Sequence, residues 1–188
     1  MMKSRIPMIL TYARVIAIPL LVGVWHLGTD NSAWWVFGLF IFASLTDYLD
    51  GFLARRWNVT SEFGAMLDQI ADKLLVAAVL VMLCTDHHLP ATLAIILLLR
   101  EVLVSGLREY AGLAAIALPV SRTGKWKTAL QLLGLALCLG AVALKTLPAL
   151  LMGHVLLVVS ALLAWISAVQ YLCSVYAAFT EGERTKSL

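Results

Sequence analysis

Charge is scarce in this chain. Asp, Glu, Lys and Arg make up 13% of its 188 residues, where an ordinary soluble domain carries about 25%. That leaves too little polar material to coat a water-soluble core. Cysteine is scarce as well. Cys84, Cys138 and Cys173 lie in or beside apolar segments without metal-like spacing, so they read as small buried hydrophobes, not as a disulfide or metal framework. Short alternating segments of the kind that build a membrane β-barrel are missing, as are internal repeats and low-complexity stretches. "RTGKWKT" looks superficially like a P-loop, but it lacks the upstream glycine, the Ser or Thr after Gly-Lys and the preceding strand. What the chain does have is apolar residues, 62% of the total, and a mean hydropathy of +0.92. These features imply an all-α integral membrane protein with a single domain over residues 1–188.

Six segments have the roughly 20 mostly apolar residues that a membrane-crossing helix needs. They run from about Ile6 to Leu27, Ala33 to Arg55, Ser61 to Cys84, Leu89 to Leu107, Lys127 to Leu147 and Leu150 to Phe179. The N-terminal "MMKSRIPMILTYARVIAIPLL" has the basic start of a signal peptide, but Arg14 interrupts its apolar run and no small-residue cleavage pattern is clear. It reads as a retained first helix that also directs insertion. Lys3, Arg5, Arg55, Arg56, Arg108, Arg122, Lys125, Lys127, Arg184 and Lys186 all fall on one side. The opposite loops, "HLGTDNSA", "TDHHLP" and "KTLPA", contain only Lys145. The excess of basic residues on the cytoplasmic side puts both termini and the 2–3 and 4–5 loops in the cytoplasm. Trp25, Trp34, Trp35, Trp57 and Trp126 fall near helix ends, as interfacial anchors do. In the 4–5 connection, Pro119, Ser121 and Gly124 mark the break before the fifth helix.

Against this background, "DYLDGFLARRWNVTSEFGAMLDQIADK" carries Asp47, Asp50, Asp68 and Asp72. Spacings of three and four residues put each pair on one helical face. Asp47 lies about 12 Å deeper than Arg55 at 1.5 Å per residue, and the third helix starts near the same surface. If the two helices pack antiparallel, all four carboxylates meet just below the cytoplasmic interface. Facing lipid, they would together cost on the order of 10–14 kcal/mol. Divalent cations relieve that cost, and hard oxygen ligands suit Mg²⁺, Mn²⁺ or Ca²⁺. A proton relay or an ion pathway is the other reading of intramembrane acids. Coupled transporters, however, hold their sites near the midplane in broken helices. Gly51, Ala54, Gly64 and Ala65 lie among the acids and allow close approach of a ligand or a helix.

Written out, the stretch is D-x2-D-G-x2-A-R-x8-G-x3-D-x3-D. It resembles the signature of the CDP-alcohol phosphotransferase family at every position. Eight fixed residues match by chance at a frequency on the order of 10⁻⁸ for a chain this long. The resemblance covers the whole architecture and implies six helices with both termini in the cytoplasm. It implies an enzyme that joins a CDP-linked lipid or alcohol to an acceptor hydroxyl and releases CMP. By this resemblance Asp47, Asp50, Asp68 and Asp72 hold two divalent ions, Mg²⁺ or Mn²⁺, and Asp72 is also the base. Gly51, Ala54 and Arg55 border the CDP group. "IPMILTYARVIAIP" resembles the family's first helix, with Thr11 and Arg14 near the nucleotide-lipid site and Met8 where the family usually has Asn. A homodimer in a bacterial inner (cytoplasmic) membrane, with its active site facing the cytoplasm, is implied too. No nucleic-acid partner is expected.

The acceptor is indicated by a second cluster. "LLLREVLVSGLREY" puts Arg100 and Glu101 inside an apolar run and Arg108 two turns later, and "SRTGKWKTALQ" brings Arg122, Lys125 and Lys127 to the same interface. Arg100 needs a cavity or a partner. Glu101 points about 100° away from it around the helix, so their sequence adjacency alone does not establish a pair. Cations beside an acidic metal site suit an acceptor that carries its own phosphate, although basic residues here also serve topology. The two stretches resemble the branch of the family that makes phosphatidylglycerophosphate from CDP-diacylglycerol and sn-glycerol 3-phosphate. That implies Arg100, Arg108, Lys125 and Lys127 as ligands of the acceptor phosphate. Inositol, serine and phosphatidylglycerol are the alternative acceptors. "DHH", Asp86 to His88, lies on the opposite side without further ligands and reads as a loop.

Overall fold

A computed structural model describes the backbone of residues 6–29, 31–57, 62–114 and 122–186. Side-chain surroundings are described for residues 10–29, 31–46, 64, 66–114 and 126–180. The described residues form six α-helices and no strand: α1 (Ile6–His26), α2 (Ser32–Trp57), α3 (Glu62–Thr85), α4 (Ala91–Leu113), α5 (Arg122–Leu144) and α6 (Leu147–Lys186). A helix satisfies its own backbone hydrogen bonds, so apolar stretches of this length adopt it wherever water is absent.

Three short turns close one end of the bundle. After α1, Gly28 takes φ +60°, and its N–H reaches the Trp25 carbonyl at 3.3 Å. After α3, His87 takes φ 59°, while His88 N and Leu89 N both donate to the Leu83 carbonyl, at 2.8 and 3.0 Å. After α5, Lys145 takes φ 54°, and Thr146 N donates to Ala141 O at 3.0 Å. Left-handed residues that satisfy the last helical carbonyls are the usual helix stop. Asp86–His88 therefore builds a turn. The His88 carbonyl meets His154 Nε2 at 2.8 Å.

The main core cluster draws on every helix, and a smaller one of Val104, Ala168 and Tyr171 joins α4 to α6. Leu21, Phe40, Leu80, Leu83, Leu97, Leu135, Leu139 and Leu157 are fully buried in the main cluster. Ile16, Leu20, Phe42, Val102, Val155 and Leu162 lie exposed on the outside. An apolar surface this extensive is foreign to water-soluble monomers. Two stretches, Trp126–Leu144 and Leu147–Thr180, are long and apolar enough to cross a membrane. The other helices are interrupted by charged or polar residues, among them Arg14, Asp68, Asp72 and Arg100.

Several boundaries differ from expectation. α4 continues past Leu107 to Leu113, because "REYAGL" contains nothing that stops a helix. Gly124 lies within the first turn of α5 and does not break the chain; the first turn tolerates glycine because its N–H groups have no intrahelical partner. α6 reaches Lys186, with 40 residues, since Glu, Arg and Lys propagate a helix well. Trp25 is not an interfacial anchor. It is buried and meets His88 edge-on, with ring centroids 6.5 Å apart. Trp34, Trp35 and Trp126 are exposed near helix ends, and the side chain of Trp57 lies outside the described residues. All three cysteines are free, but Cys173 is exposed instead of buried.

The α5–α6 pair is the tightest point. A Cβ on Gly134 would stand 2.9 Å from Leu157 Cγ, and one on Gly153 would stand 2.6 Å from Cys138 Sγ and 3.0 Å from the Gly134 carbonyl. Small residues let the two backbones touch. Gly153→Val should therefore destabilise the protein by about 2–3 kcal/mol, the upper part of the overpacking range, read as a lower thermal midpoint in detergent. Gly38→Ala is the control, because nothing lies within 4 Å of that position. It should be neutral or slightly stabilising. Equal midpoints for the two variants would refute the close contact.

Candidate active site

Arg14 is the buried centre of the acidic site. It sits two turns into α1 and is 2% exposed. Its Nη1 donates to Asp68 Oδ1 at 2.8 Å and to Asp72 Oδ1 at 3.0 Å. The four-residue spacing on α3 puts both carboxylates on the face turned toward α1. Their side chains are 34% and 48% exposed, so each is held from one side and open on the other. Thr11 is buried one turn before Arg14, on the same face.

Among the described residues, α1 packs more extensively against α2 and against α3 than those two pack against each other; the acid-bearing end of α2 lies outside the described side chains. Arg14 thus sits at the seam where the acids were expected to meet alone. The signal was present in the sequence, since an arginine inside an apolar helix needs a charged or polar partner. Asp47, Asp50, Gly51, Ala54 and Arg55 lie in the last turns of α2, and their side-chain surroundings are outside the described residues. Thr46, next to Asp47, is buried and donates to the Ala43 carbonyl at 2.8 Å.

The second cluster lies where α4, α5 and α6 meet. Arg100 and Lys127 are each 5% exposed. Arg100 Nε donates to the Ala164 carbonyl of α6 at 3.0 Å, and its Nη1 donates to Glu101 Oε1 at 3.2 Å. Lys127 Nζ donates to the same oxygen. The adjacent Arg100–Glu101 pair therefore forms, despite the angle between their positions, because both long side chains bend toward Lys127. Ser160 of α6 donates to the Lys127 carbonyl at 3.0 Å. Arg108 is exposed. Its Nη2 donates to the Tyr171 hydroxyl at 2.9 Å, with the guanidinium carbon 5.2 Å from that ring's centroid. The side chains of Lys125 and Arg122 lie outside the described residues, in the first turn of α5. Sequence reasoning missed Tyr171, and it missed Gln131, which is buried one turn beyond Lys127 with no partner for its Nε2.

Connectivity puts both clusters at one end of the bundle. The short turns after α1, α3 and α5 make each following helix run back antiparallel. Thr11 and Arg14 lie in the half of α1 away from its turn, as do Asp68 and Asp72 in α3, Arg108 in α4 and Lys127 in α5, while Arg100, near the middle of α4, is tied to Lys127 through Glu101. An apolar groove of about 610 Å³ runs from this end between α1 and α3. Val15, Ile18, Val22, Leu74, Ala78 and Val81 line it, starting within a turn of Arg14 and Asp72.

Half-open carboxylates are hard oxygen donors, which suits a divalent ion. Asp68 and Asp72 are held side by side on α3 by Arg14, each with part of its carboxylate open. The donor set therefore fits divalent metal.

With that geometry the chain belongs to the CDP-alcohol phosphatidyltransferase family, whose sequence profile matches residues 4–176. Members of the family are membrane-associated and use divalent metals. A CDP-diacylglycerol–glycerol-3-phosphate 3-phosphatidyltransferase from Rickettsia bellii is 38% identical over 169 residues, covering 89% of this chain and 93% of that protein. The enzyme of the same name from Haemophilus influenzae is 42% identical over 143 residues, covering 71% of this chain and 75% of that protein. A cardiolipin synthase (CMP-forming) from Oryza sativa subsp. japonica is 39% identical over 191 residues, covering 91% of this chain and 57% of that protein.

Proposed function

We propose that the protein transfers the phosphatidyl group of CDP-diacylglycerol to sn-glycerol 3-phosphate, giving phosphatidylglycerophosphate and CMP. The observation that carries this reading is an acidic cluster and a buried cationic cluster at the same end of one helical bundle. A pyrophosphate donor needs its charge neutralised, and an acceptor phosphate needs cations. The relatives named for this reaction support the choice of acceptor.

In this reading all six helices cross a bacterial inner membrane, with both termini and the active end in the cytoplasm. Asp47, Asp50, Asp68 and Asp72 would hold two divalent ions, Mg²⁺ or Mn²⁺, which when bound withdraw charge from the attacked phosphorus and from the leaving CMP. Arg14 draws Asp68 and Asp72 together, and Thr11 lines the same side. Gly51 and Ala54 leave room at the α2 backbone for the CDP group, and Arg55 suits its phosphates because a guanidinium offers a planar fork. The α1–α3 groove takes an acyl chain of the donor. Arg100, Arg108, Lys125 and Lys127 hold the acceptor phosphate. Asp72 takes the proton from the C1 hydroxyl. That oxygen bonds to the lipid-side phosphorus, and the bridging P–O bond breaks with its electron pair leaving on CMP. The transfer is direct and inverts the phosphorus. A homodimer is the assembly that the family resemblance supports.

The test is purified protein in detergent with CDP-diacylglycerol, Mn²⁺ or Mg²⁺ and labelled acceptors, following CMP release. Glycerol 3-phosphate should be used in strong preference to inositol, serine and phosphatidylglycerol. Arg100→Ala and Lys127→Ala should each raise the KM for glycerol 3-phosphate by about 10–100-fold, as loss of a charged hydrogen bond worth about 1.5–3 kcal/mol requires. Unchanged acceptor kinetics in both variants would remove them from the pocket. Preference for phosphatidylglycerol would instead make the protein a cardiolipin synthase, as the rice relative is named.

A further inference from the structure

We infer that Glu101 is a positioning residue of the acceptor site: one of its oxygens fixes the two buried cations that receive the acceptor phosphate. The inference rests on the proposed reading of Arg100 and Lys127 as phosphate ligands. It adds the residue that makes those two cations usable.

The geometry carries it. Glu101 Oε1 accepts from Arg100 Nη1 at 3.2 Å and also from Lys127 Nζ. One oxygen thereby ties α4 to α5. The third corner comes from α6, where Ala164 O takes Arg100 Nε at 3.0 Å and Ser160 Oγ holds the Lys127 carbonyl at 3.0 Å. Both cations are therefore anchored on one side. Arg100 has five N–H groups and Lys127 three. The contacts described occupy two on Arg100 and one on Lys127. The remaining donors are charged, and their directions are already fixed.

Charge explains why the anchor is an acid. Two cations this deeply buried repel each other and are poorly solvated. Without a counter-ion, holding both charges in a low-dielectric site is strongly unfavourable. Glu101 supplies that counter-ion while leaving an excess of positive charge. Among the described side chains, Arg100, Lys127 and the neighbouring Arg108, set against Glu101, leave two positive charges. A phosphate monoester carries about −1.5 to −2 near neutral pH, so the cluster matches it. A phosphodiester or an uncharged alcohol does not. Glu101 thus helps determine the acceptor class, although it need not touch the acceptor.

The experiment uses the full-length protein in detergent with Mn²⁺, comparing Glu101→Gln, Glu101→Asp and the exposed control Glu109→Gln. Acceptor and donor kinetics and thermal midpoints are measured for each. Glu101→Gln should raise the KM for glycerol 3-phosphate at least about 10-fold, while kcat at saturation and the KM for CDP-diacylglycerol stay within about 3-fold. Glu101→Asp keeps the charge but shortens the side chain by one methylene, so it should raise the acceptor KM by a smaller factor at unchanged kcat. Glu109→Gln should match the parent protein. A merely structural residue would lower the midpoint and kcat without selectively raising the acceptor KM, and that result overturns the inference. A fall in acceptor KM in Glu101→Gln also overturns it, since it would make Glu101 a competitor of the phosphate. If Glu101→Gln does not fold, Glu101→Asp decides: an unchanged acceptor KM together with a lowered midpoint refutes positioning, and a raised KM at unchanged kcat supports it. If the parent protein does not use glycerol 3-phosphate at all, the proposed function fails as well, and that result is visible before any variant is made.

Discussion

Asp72→Asn is expected to lower kcat for CMP release by at least about 10³-fold while leaving the protein folded. The size follows from the two roles proposed for Asp72. Loss of a general base costs 10²–10⁴-fold, and the same change removes a charged metal ligand. The fold should survive for a separate reason. Asp72 is half-exposed, and its buried partner Arg14 keeps Asp68 at 2.8 Å. Asparagine preserves the shape of the side chain and can still accept from Arg14. The thermal midpoint should therefore move by only a few degrees, because the change weakens one partly solvated ionic contact. A variant that releases CMP within tenfold of the parent rate would remove Asp72 from the chemistry. Asp68→Asn, lacking the base role, should lose less activity.

Stripping divalent ions should have a comparable effect. With a chelator in excess, CMP release should fall to the uncatalysed background, and Mn²⁺ or Mg²⁺ should restore it. The argument is electrostatic. Asp68 and Asp72 of α3 meet at Arg14 with open carboxylate faces, and Asp47 and Asp50 add acid to α2. The surplus negative charge repels the pyrophosphate of the donor. Returning the ion should also raise the thermal midpoint, because a ligand that binds only the folded state stabilises it by about 2.7 kcal/mol at 100 times its Kd. That shift should shrink in Asp68→Asn and Asp72→Asn, which ties the ion to those side chains independently of turnover. Full activity under chelation would end the metal reading.

The helices were legible because composition and run length are enough to specify them. So were the turns after α1, α3 and α5, where short polar stretches interrupt apolar ones. The ends of α4, α5 and α6 were less legible, because nothing in "REYAGL" or "TEGERTK" marks the point where a helix leaves an apolar environment. The acidic signature was read from spacing alone. Its link to Arg14 was not, since that contact spans 54 residues in sequence and depends on α1 packing against α3. Glu101 shows the limit of a helical-wheel argument. Its position points away from Arg100, yet the flexible side chains of Arg100 and Lys127 converge on one oxygen. Tyr171 lies on a helix that reads as uniformly apolar, and only the packing of α4 on α6 reveals its role beside Arg108.

α6 doubles as a depth gauge. Its 40 residues extend about 60 Å at 1.5 Å per residue, while the oily slab is about 30 Å thick. No ordinary tilt absorbs that difference. In the proposed arrangement, with Leu147 at one face of the slab, the other face falls near Ser167, and Tyr171 with Arg108 beside it lies about one turn beyond. Under that arrangement glycerol 3-phosphate arriving from water would meet the Arg108 guanidinium first. Arg100 sits beside Ala164, roughly two turns of α6 from Tyr171, so under the proposed topology the cations form a descending staircase toward the lipid.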